Sequence, residues 1–341
     1  MTNVLIATFR EDPDALVVAN DLRSRGVRVS MFHGDEYPMK SEISTFVSNG
    51  EETQVLVNGA DGRIDFETFD VVWWRRYSGF VVRGAYHLDD ERIVQQENRM
   101  LARHLPYVVA NRARWINPPQ GEMEGASKLL QLRVAKQVGL QFPRTLATNS
   151  RVDAAAFIDA IESEGKRAIL KTFLPHHWDL QEAGESGVAY AYASSIRSAQ
   201  LVEESMFRVC PVLLQEQVDC ICEIRAIFMG EACVAVEYNH ARPGREHLGV
   251  RHGTGAHDTT RIHPLPTDVQ HLCVQLMKRL SLVFGSFDLL LTADRRYVFL
   301  EVNPQGQWVW LESACAELNL VHAFSDFVVH GRTSSAQLVK S

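Results

Sequence analysis

The 341-residue chain lacks several features that would assign it to a narrow class of protein. Its six cysteines include no Cys-x-x-Cys pair and no short-spaced framework, which argues against a small disulfide-stabilised domain and predicts reduced, mostly buried thiols. No segment approaches the roughly 18 consecutive apolar residues that cross a bilayer. There is no basic surplus either, because the formal net charge is -7. Binding to nucleic acid or to a membrane surface is therefore not expected.

What is present fits an ordinary globular protein. Hydrophobic residues make up 46% of the chain and charged residues 23%, which excludes a mostly disordered protein. The length suggests two or three structural units. Acidic Glu11 and Asp12 follow the N-terminus before any long apolar region, so no signal peptide is predicted and the expected location is the cytoplasm.

The first hundred residues predict a β-α-β opening. Val4 to Thr8 is typical of a strand buried on both faces, and Asp12-Pro13 is a typical helix start, with a capping carboxylate and a proline that needs no N–H. Gly26 ends this helix, and a second strand follows. The pattern predicts an α/β fold that begins with a parallel sheet.

Breaks in the pattern divide the chain further. We expect an N-terminal α/β domain, a central lobe, a C-terminal lobe with a metal site and a loose tail, at residues 1–118, 119–210, 211–330 and 331–341. Ser127 predicts the start of a helix that ends at Gly139. The polar turn Ala293 to Arg296 lies between two apolar strands and predicts a hairpin.

The strongest chemical signal lies in that hairpin. Asp288 stands in one apolar strand, and Glu301 and Asn303 stand two residues apart in the next, which places both on one face. A carboxylate in an apolar strand is costly unless it is paired or bound to a cation. Three oxygen donors favour Mg²⁺, with Mn²⁺ as an alternative, and suggest a nucleotide phosphate as a further ligand. The other interpretation is a satisfied polar cluster or an ion pair with Arg225.

Two lysines are candidates for the phosphate side of such a site. Lys171 stands within the apolar run Ala168 to Phe173, where a buried ammonium needs an anion. Lys128 stands in the first turn of a helix, whose terminus attracts phosphate. Each could instead be a lysine whose stem is buried and whose amine reaches solvent.

A series of motifs follows the chain in the order Lys128, Lys171, Gln215 to Val218, Glu223 to Arg225, Asp288 and Glu301 to Asn303. This order resembles that of the ATP-grasp carboxylate–amine ligases, over about residues 110 to 325. Further motifs are Trp73 to Arg76, Trp115 to Pro118, Lys128 to Leu132, Gly139 to Thr145, Thr148-Asn149 and Phe299 to Trp308. They are similar to those of the microviridin-type ATP-grasp peptide maturases, which form side-chain ester or amide macrocycles in ribosomal precursor peptides (graspetides).

The resemblance implies an ATP-grasp fold behind a parallel-sheet pre-ATP-grasp domain, and a role for each matching residue. Lys128 and Lys171 would hold the α- and β-phosphates of ATP. Backbone groups around Gln215, Glu216 and Val218 would pair with adenine, and Glu223 with the ribose. Asp288, Glu301 and Asn303 would hold two Mg²⁺ ions, and Arg225 would be the catalytic residue at the γ-phosphate.

The activity implied is ATP-dependent activation of an Asp or Glu side chain of a precursor peptide as an acyl phosphate. A Thr, Ser or Lys side chain of the same peptide would then attack, and the peptide would carry a leader segment. One alternative is an ATP-grasp ligase that joins a free amino acid to a peptide or a small acid. A second is a nucleotide-binding module without turnover. A homodimer is left open.

Four arginines are candidate substrate contacts. Arg75 and Arg76 follow a strand end and could reach a cleft, or form a neutralised surface pair. Arg251 and Arg261 lie within the irregular His- and Arg-rich segment 240–263, for which we expect a loop that covers the active site and places these arginines near acidic substrate side chains. A metal site built from the histidines of that loop, and a solvated loop without a role, are the alternatives.

Overall fold

The structure is a computed structural model that describes residues 2–50, 53–75, 82, 87–109, 112–173, 177–182, 185–190, 193–238 and 260–340. For residues 177–182 and 185–190 it describes the backbone only. In the part of the chain described here, no helix has the length and hydrophobicity to cross a bilayer.

The N-terminal domain is organised around a parallel sheet. Its elements are β1 (Asn3–Thr8), α1 (Pro13–Ser24), β2 (Arg28–His33), β3 (Glu42–Phe46), β4 (Gln54–Gly59), β5 (Gly62–Asp65), β6 (Val71–Trp74), α2 (Glu91–His104) and β7 (Arg114–Ile116). The parallel strands have the order β2-β1-β6-β7, and β3, β4 and β5 form a separate antiparallel sheet. As predicted, the Asp12 carboxylate caps α1 by accepting from the N–H groups of Asp14 and Ala15.

The second group of elements forms a small antiparallel sheet with its helices. In chain order these are α3 (Pro119–Gly125), α4 (Lys128–Val138), β8 (Thr145–Thr148), α5 (Arg151–Ser163), β9 (Ala168–Lys171), β10 (His177–Glu182), β11 (Glu185–Tyr190), β12 (Ser194–Ile196), α6 (Glu204–Val209) and β13 (Val212–Glu216). The sheet order is β12-β9-β13-β8, and β10 pairs with β11 as a separate hairpin. Ser127 caps α4, and Gly139 ends it with a φ of 93°, as predicted.

The third group is a five-stranded antiparallel sheet with three helices. It contains β14 (Cys222–Met229), β15 (Ala232–Tyr238), β16 (Thr260–His263), α7 (Thr267–Arg279), β17 (Phe284–Leu291), β18 (Tyr297–Asn303), α8 (Val309–Ala314) and α9 (Leu320–His330). The strand order is β16-β15-β14-β17-β18. One face packs on α7 and α4, and part of the other shares a core with α9 and the N-terminal domain.

Sheet membership places two boundaries differently from the sequence prediction. Strand β13 pairs with β8 and β9, so the central sheet continues to Glu216, beyond the expected boundary at residue 210. Helix α4 buries Val134 and Ala135 in the core of the C-terminal sheet, although it was expected in the central lobe. Local sequence does not show to which sheet β13 or α4 belongs, because that depends on which other element packs against their apolar residues.

The last residues are ordered, contrary to the expectation of a loose tail. Leu338 is fully buried, and its carbonyl accepts from the N–H of Asn319 at 2.9 Å. The N–H of Lys340 donates to the carbonyl of Glu317 at 2.7 Å. The buried side chain of Leu338 holds this segment against the protein, although the polar composition of the segment predicts a loose tail.

Arg75 connects the N-terminal domain to the C-terminal lobe. Its side chain has no exposed surface, with Nε 2.7 Å from Asp12 Oδ2 and Nη2 2.6 Å from Asp14 Oδ2. Nη1 donates to the carbonyl of Gly306 at 2.7 Å and also to that of Gln305. Although burial acts to raise it, Arg75 holds the pKa of Asp12 below its ordinary value. The expectation that Arg75 contacts substrate is therefore corrected: the end of β6 lies beside the start of α1, whose two carboxylates bind the guanidinium in the interior.

Loss of the Arg75 charge should destabilise the protein strongly. Arg75→Gln leaves the buried Asp12 and Asp14 carboxylates without their cation, and removing one partner of a buried pair typically costs about 3–5 kcal/mol. Guanidinium chloride unfolding measures the change in the free energy of unfolding. The matched control is Arg28→Gln, at an exposed position of β2. Equal, small effects in both variants would contradict the structural role of Arg75.

Candidate active site

Three strands of the C-terminal sheet bring the predicted polar residues side by side. Arg225 on β14 lies opposite Asp288 on β17, and Asp288 lies opposite Glu301 on β18. The hairpin prediction for Asp288 and Glu301 is therefore confirmed. Arg225 Nη1 is 2.7 Å from Asp288 Oδ1, so the alternative ion pair with Arg225 is also present. Arg225, Asp288 and Glu301 thus form one row across the sheet, and Asn303 lies two residues further along β18, opposite Ser286.

A β-bulge in β18 decides which side chains face this site. Phe299 lies opposite Leu289 and Glu301 lies opposite Asp288, so Leu300 is the additional residue. Phe299 consequently packs on Phe287 in the core, with ring centroids 5.9 Å apart, while Glu301 faces the site. Without the bulge, strict alternation would put Phe299 on the same face as Glu301.

Helix α4 presents Lys128 to the same row. Lys128 Nζ is 3.0 Å from Glu301 Oε2. The helix is fixed against β18 by Gln131, whose amide donates to the Val302 carbonyl at 2.8 Å and accepts from the Val302 N–H at 2.9 Å. Gln131 is a positioning residue whose role the sequence did not reveal, although a buried glutamine on an apolar helix face is a signal for such a contact.

Lys171 reaches the site from the other sheet. Its Nζ donates to Gln215 Oε1 at 2.7 Å, and the Gln215 amide donates to Thr145 Oγ1 at 3.0 Å. Burial lowers the pKa of Lys171, while the charges of Glu301 and Asp288 favour its protonated form. The side chain of Gln215, expected near the nucleotide, lies beside Lys171 and orients it. The two lobes therefore face each other across a cleft with lysines on both sides.

Glu223 is half-buried and lies close enough to Asp288 to interact with its charge. Burial raises its pKa to about 7, and the charge of Asp288 adds to the effect. The Tyr238 hydroxyl donates a hydrogen bond to the Glu223 carboxylate, and the Tyr238 ring packs edge-on against Trp310, with centroids 6.3 Å apart. Tyr238 is a further residue that sequence reasoning missed, because its contact depends on the register Glu223 opposite Tyr238.

The segment around Glu216 connects the two sheets. The Glu216 carboxylate lies 2.7 Å from Arg144 Nε and 2.8 Å from Lys166 Nζ, and the Glu216 N–H donates to the Arg144 carbonyl at 2.9 Å. Since this N–H is already bound, an adenine contact from this segment would have to use other backbone groups, those of Val218 among them. That contact stays a prediction.

The donor set fits a divalent ion and a phosphate. Asp288 and Glu301 supply carboxylate oxygens, which Mg²⁺ prefers. Asn303 Oδ1 accepts hydrogen bonds from the N–H groups of Gln305 at 3.0 Å and Gly306 at 2.9 Å. A metal ion bound to this oxygen would therefore replace at least one of these two hydrogen bonds. Arg225 Nε is buried and has no hydrogen-bond partner among the described residues, although Nη2 donates to the Gln307 carbonyl at 3.2 Å. A phosphate oxygen would satisfy this donor.

The other candidate arginines do not join this group. Arg261 pairs with Glu237 across β16 and β15, and strand alternation puts both on the face opposite Arg225. Arg261 Nε binds the Glu237 carboxylate there, so the expectation that Arg261 lies beside substrate is corrected. Arg76, Arg251 and the histidines of segment 240–257 lie outside the described residues.

The loop after β18 is held by a second group of polar residues. Asn117 Oδ1 accepts from the N–H groups of Val283 and Phe284 at 2.7 and 2.8 Å, and its amide donates to Glu122 at 2.9 Å and to the Pro304 carbonyl at 3.2 Å. Burial raises the pKa of Glu122 to about 7. Asn117 and Glu122 therefore position the turn that follows Asn303.

Comparison with known proteins agrees with this architecture. Residues 3–118 match the family described as the MvdD pre-ATP grasp domain. The whole chain is similar to the macrocyclase MdnC of Microcystis aeruginosa MRC, solved with its precursor peptide MdnA, at a TM-score of 0.81 and 22% identity over 96% of this chain and 99% of that one. The chain has the ATP-grasp fold. The resemblance to microviridin-type ATP-grasp ligases is thereby confirmed by the domain family and by the fold.

Two further structures have the same ATP-grasp architecture. A RiPP-associated ATP-grasp ligase of Chryseobacterium gregarium, solved with ADP and a leader and core peptide, has a TM-score of 0.80 and 20% identity, with all of both chains covered. The macrocyclase MdnB of M. aeruginosa MRC has a TM-score of 0.78 and 25% identity over 97% of this chain and all of that one. The curated proteins contain no match.

The raised pKa of Glu122 predicts a pH-dependent cost to stability. The carboxyl ionises near 4.5 in the unfolded chain but near 7 in the folded protein, so the free energy of unfolding falls as the pH rises between these values. Glu122→Gln should remove this part of the pH dependence in urea unfolding measured from pH 5 to pH 8. The control is Glu124→Gln, on the same helix. Parallel pH profiles for wild type and Glu122→Gln would contradict the prediction.

Proposed function

We propose that the protein is an ATP-dependent ligase that forms intramolecular ester or amide bonds in a ribosomally made precursor peptide. The observation that carries the proposal is the convergence of Lys128, Lys171 and Arg225 with Asp288 and Glu301 in the cleft between two sheets. The similar ATP-grasp structures, which include ligases solved with precursor peptides, support a peptide substrate. A cytoplasmic location and a homodimer stay predictions.

In this proposal ATP lies in the cleft with its phosphates near the row of charges. Lys128 and Lys171 bind the α- and β-phosphates, and Arg225 binds the γ-phosphate, for which its planar fork of donors is suited. Glu223 accepts from the ribose hydroxyls, and backbone groups around Val218 pair with the adenine. Asp288, Glu301 and Asn303 would hold Mg²⁺, which supplies charge neutralisation between the triphosphate and a substrate carboxylate.

The chemistry requires no nucleophile from the protein. An oxygen of an Asp or Glu side chain of the peptide attacks the γ-phosphorus, and the bond to ADP breaks, which gives an acyl phosphate. A Thr or Ser hydroxyl, or a Lys amine, of the same peptide then attacks the acyl carbon. Inorganic phosphate leaves, and the nucleophile loses its proton. Arg225 stabilises the charge on the transferring phosphoryl group, and proximity within one bound peptide promotes the second attack.

Mass spectrometry of a co-expressed precursor tests the proposal. The precursor is one with a leader segment and a core rich in Thr and in Asp or Glu, and each ring should lower its mass by one water. The control is the same peptide with its core acidic residues changed to Asn and Gln, which should keep its full mass. If the precursor keeps its mass and ATP turnover depends on a free amino acid, the macrocyclase proposal is wrong, and the protein is an intermolecular ligase. No ATP turnover with either substrate would favour a module without catalysis.

Glu301→Gln should abolish turnover without unfolding the protein. The substitution keeps the shape of the side chain but removes the negative charge that faces Lys128 and that would hold the metal. Loss of one such electrostatic contribution typically lowers kcat by about a hundredfold or more. ADP release assayed over a Mg²⁺ titration measures the effect, and Glu162→Gln, at an exposed position of α5, is the matched control. Wild-type turnover in Glu301→Gln would overturn the assignment of Glu301.

A further inference from the structure

A second group of candidate ligands lies on the face of the C-terminal sheet opposite the candidate active site. Cys222 on β14, Glu237 on β15 and His263 on β16 come from three adjacent strands. Their ligand atoms lie within 4.8 Å of one another. Cys222 and His263 are each only 7% exposed. A sulfur, an oxygen and a nitrogen donor therefore share one buried position.

The remaining polar atoms of this group have partners that orient it. Glu237 Oε1 binds Arg261 Nε, and Glu237 Oε2 lies 2.5 Å from His263 Nδ1. His263 Nε2 lies 2.8 Å from the Tyr297 hydroxyl. His263 Nδ1 and Glu237 Oε2 thus face each other, and a bound ion would replace the contact between them, whereas the other nitrogen of His263 and the other oxygen of Glu237 are held by neighbours. Histidine and carboxylate ligands of metal ions usually have outer contacts of this kind.

The charges of the three side chains match a divalent cation. A thiolate and a carboxylate together carry the two negative charges that such an ion neutralises. Burial raises the pKa of the Cys222 thiol to about 11, and the charge of Glu237 adds to the effect, so a cation would be needed to favour the thiolate. Soft sulfur and imidazole ligands select zinc-like ions, whereas the oxygen donors of Asp288 and Glu301 select Mg²⁺.

We propose that Cys222, Glu237 and His263 bind a divalent transition-metal ion of the zinc class. Three protein ligands leave a fourth tetrahedral position for a water molecule. Bound there, the ion would tie edge strand β16 to β14, which carries Glu223 and Arg225 on its other face. The site is separate from the ATP cleft, and the proposal does not rest on the proposed ligase activity.

Cobalt substitution of the full-length protein tests this site by a signal that only a sulfur ligand produces. Protein stripped of metal with a chelator, and then freed of the chelator, is titrated with Co²⁺ in excess Mg²⁺, which keeps the oxygen-ligand site occupied. We expect a thiolate-to-cobalt charge-transfer band that saturates at one Co²⁺ per chain and is lost when Zn²⁺ is added. Absence of this band in the wild-type protein would overturn the proposal.

Two variants and a matched control assign the band to these residues. Cys222→Ser should abolish the band, and His263→Gln should weaken Co²⁺ binding by at least tenfold, with circular dichroism to verify folding. Cys233→Ser changes a similarly buried thiol, 8% exposed, on the neighbouring strand and should keep the band. If Cys222→Ser does not fold, Glu237→Gln replaces it and should likewise weaken binding. A band that persists at full strength in a folded Cys222→Ser or Glu237→Gln variant would contradict the site.

Discussion

The buried guanidinium of Arg75 is the contact on which the relation between the domains depends. It binds two carboxylates at the start of α1 and two carbonyls in the loop that follows Asn303. A fully buried charge is tolerated only when its donors are satisfied, so these partners must come together for any of them to be stable. Docking of the N-terminal domain and the conformation of the loop beside the candidate metal site are consequently coupled. Asn117 and Glu122 extend the same coupling to β17.

The cleft itself shows how an acidic protein can hold a polyanion. Lys128 lies against Glu301, and Arg225 against Asp288, so each carboxylate has a cation at hydrogen-bond distance. The amine of Lys171 lies in poorly solvated surroundings, and this burial lowers its pKa. In such surroundings, fixed charges act more strongly than they would in water. The net charge of -7 is a sum over the whole chain and says nothing about this local balance.

Much of the fold followed from local signals in the sequence. The caps of α1 and α4, the apolar strand β1, and the hairpin from β17 to β18 correspond to the predicted elements. Strands β3 and β5 were missed because most of their residues are exposed and lack a clear alternation. Helix α9 was missed as well, although its buried apolar residues Leu320, Ala323, Phe324, Phe327 and Val328 follow helical spacing. The assignment of β13 to the central sheet could not be predicted, because it depends on which strands it pairs with.

The sequence by itself determined which residue types could carry the chemistry and, through the spacing of Glu301 and Asn303, that two of them share a strand face. Only the tertiary structure decided that Arg75 is interior, that Arg261 lies on the far face of the sheet, and that Gln215 orients Lys171. It alone joined Cys222, Glu237 and His263 into a candidate site. The reason is physical: local sequence specifies caps, turns and periodicity, whereas strand register, a single bulge at Leu300 and the docking of domains arise from contacts between residues far apart in the chain.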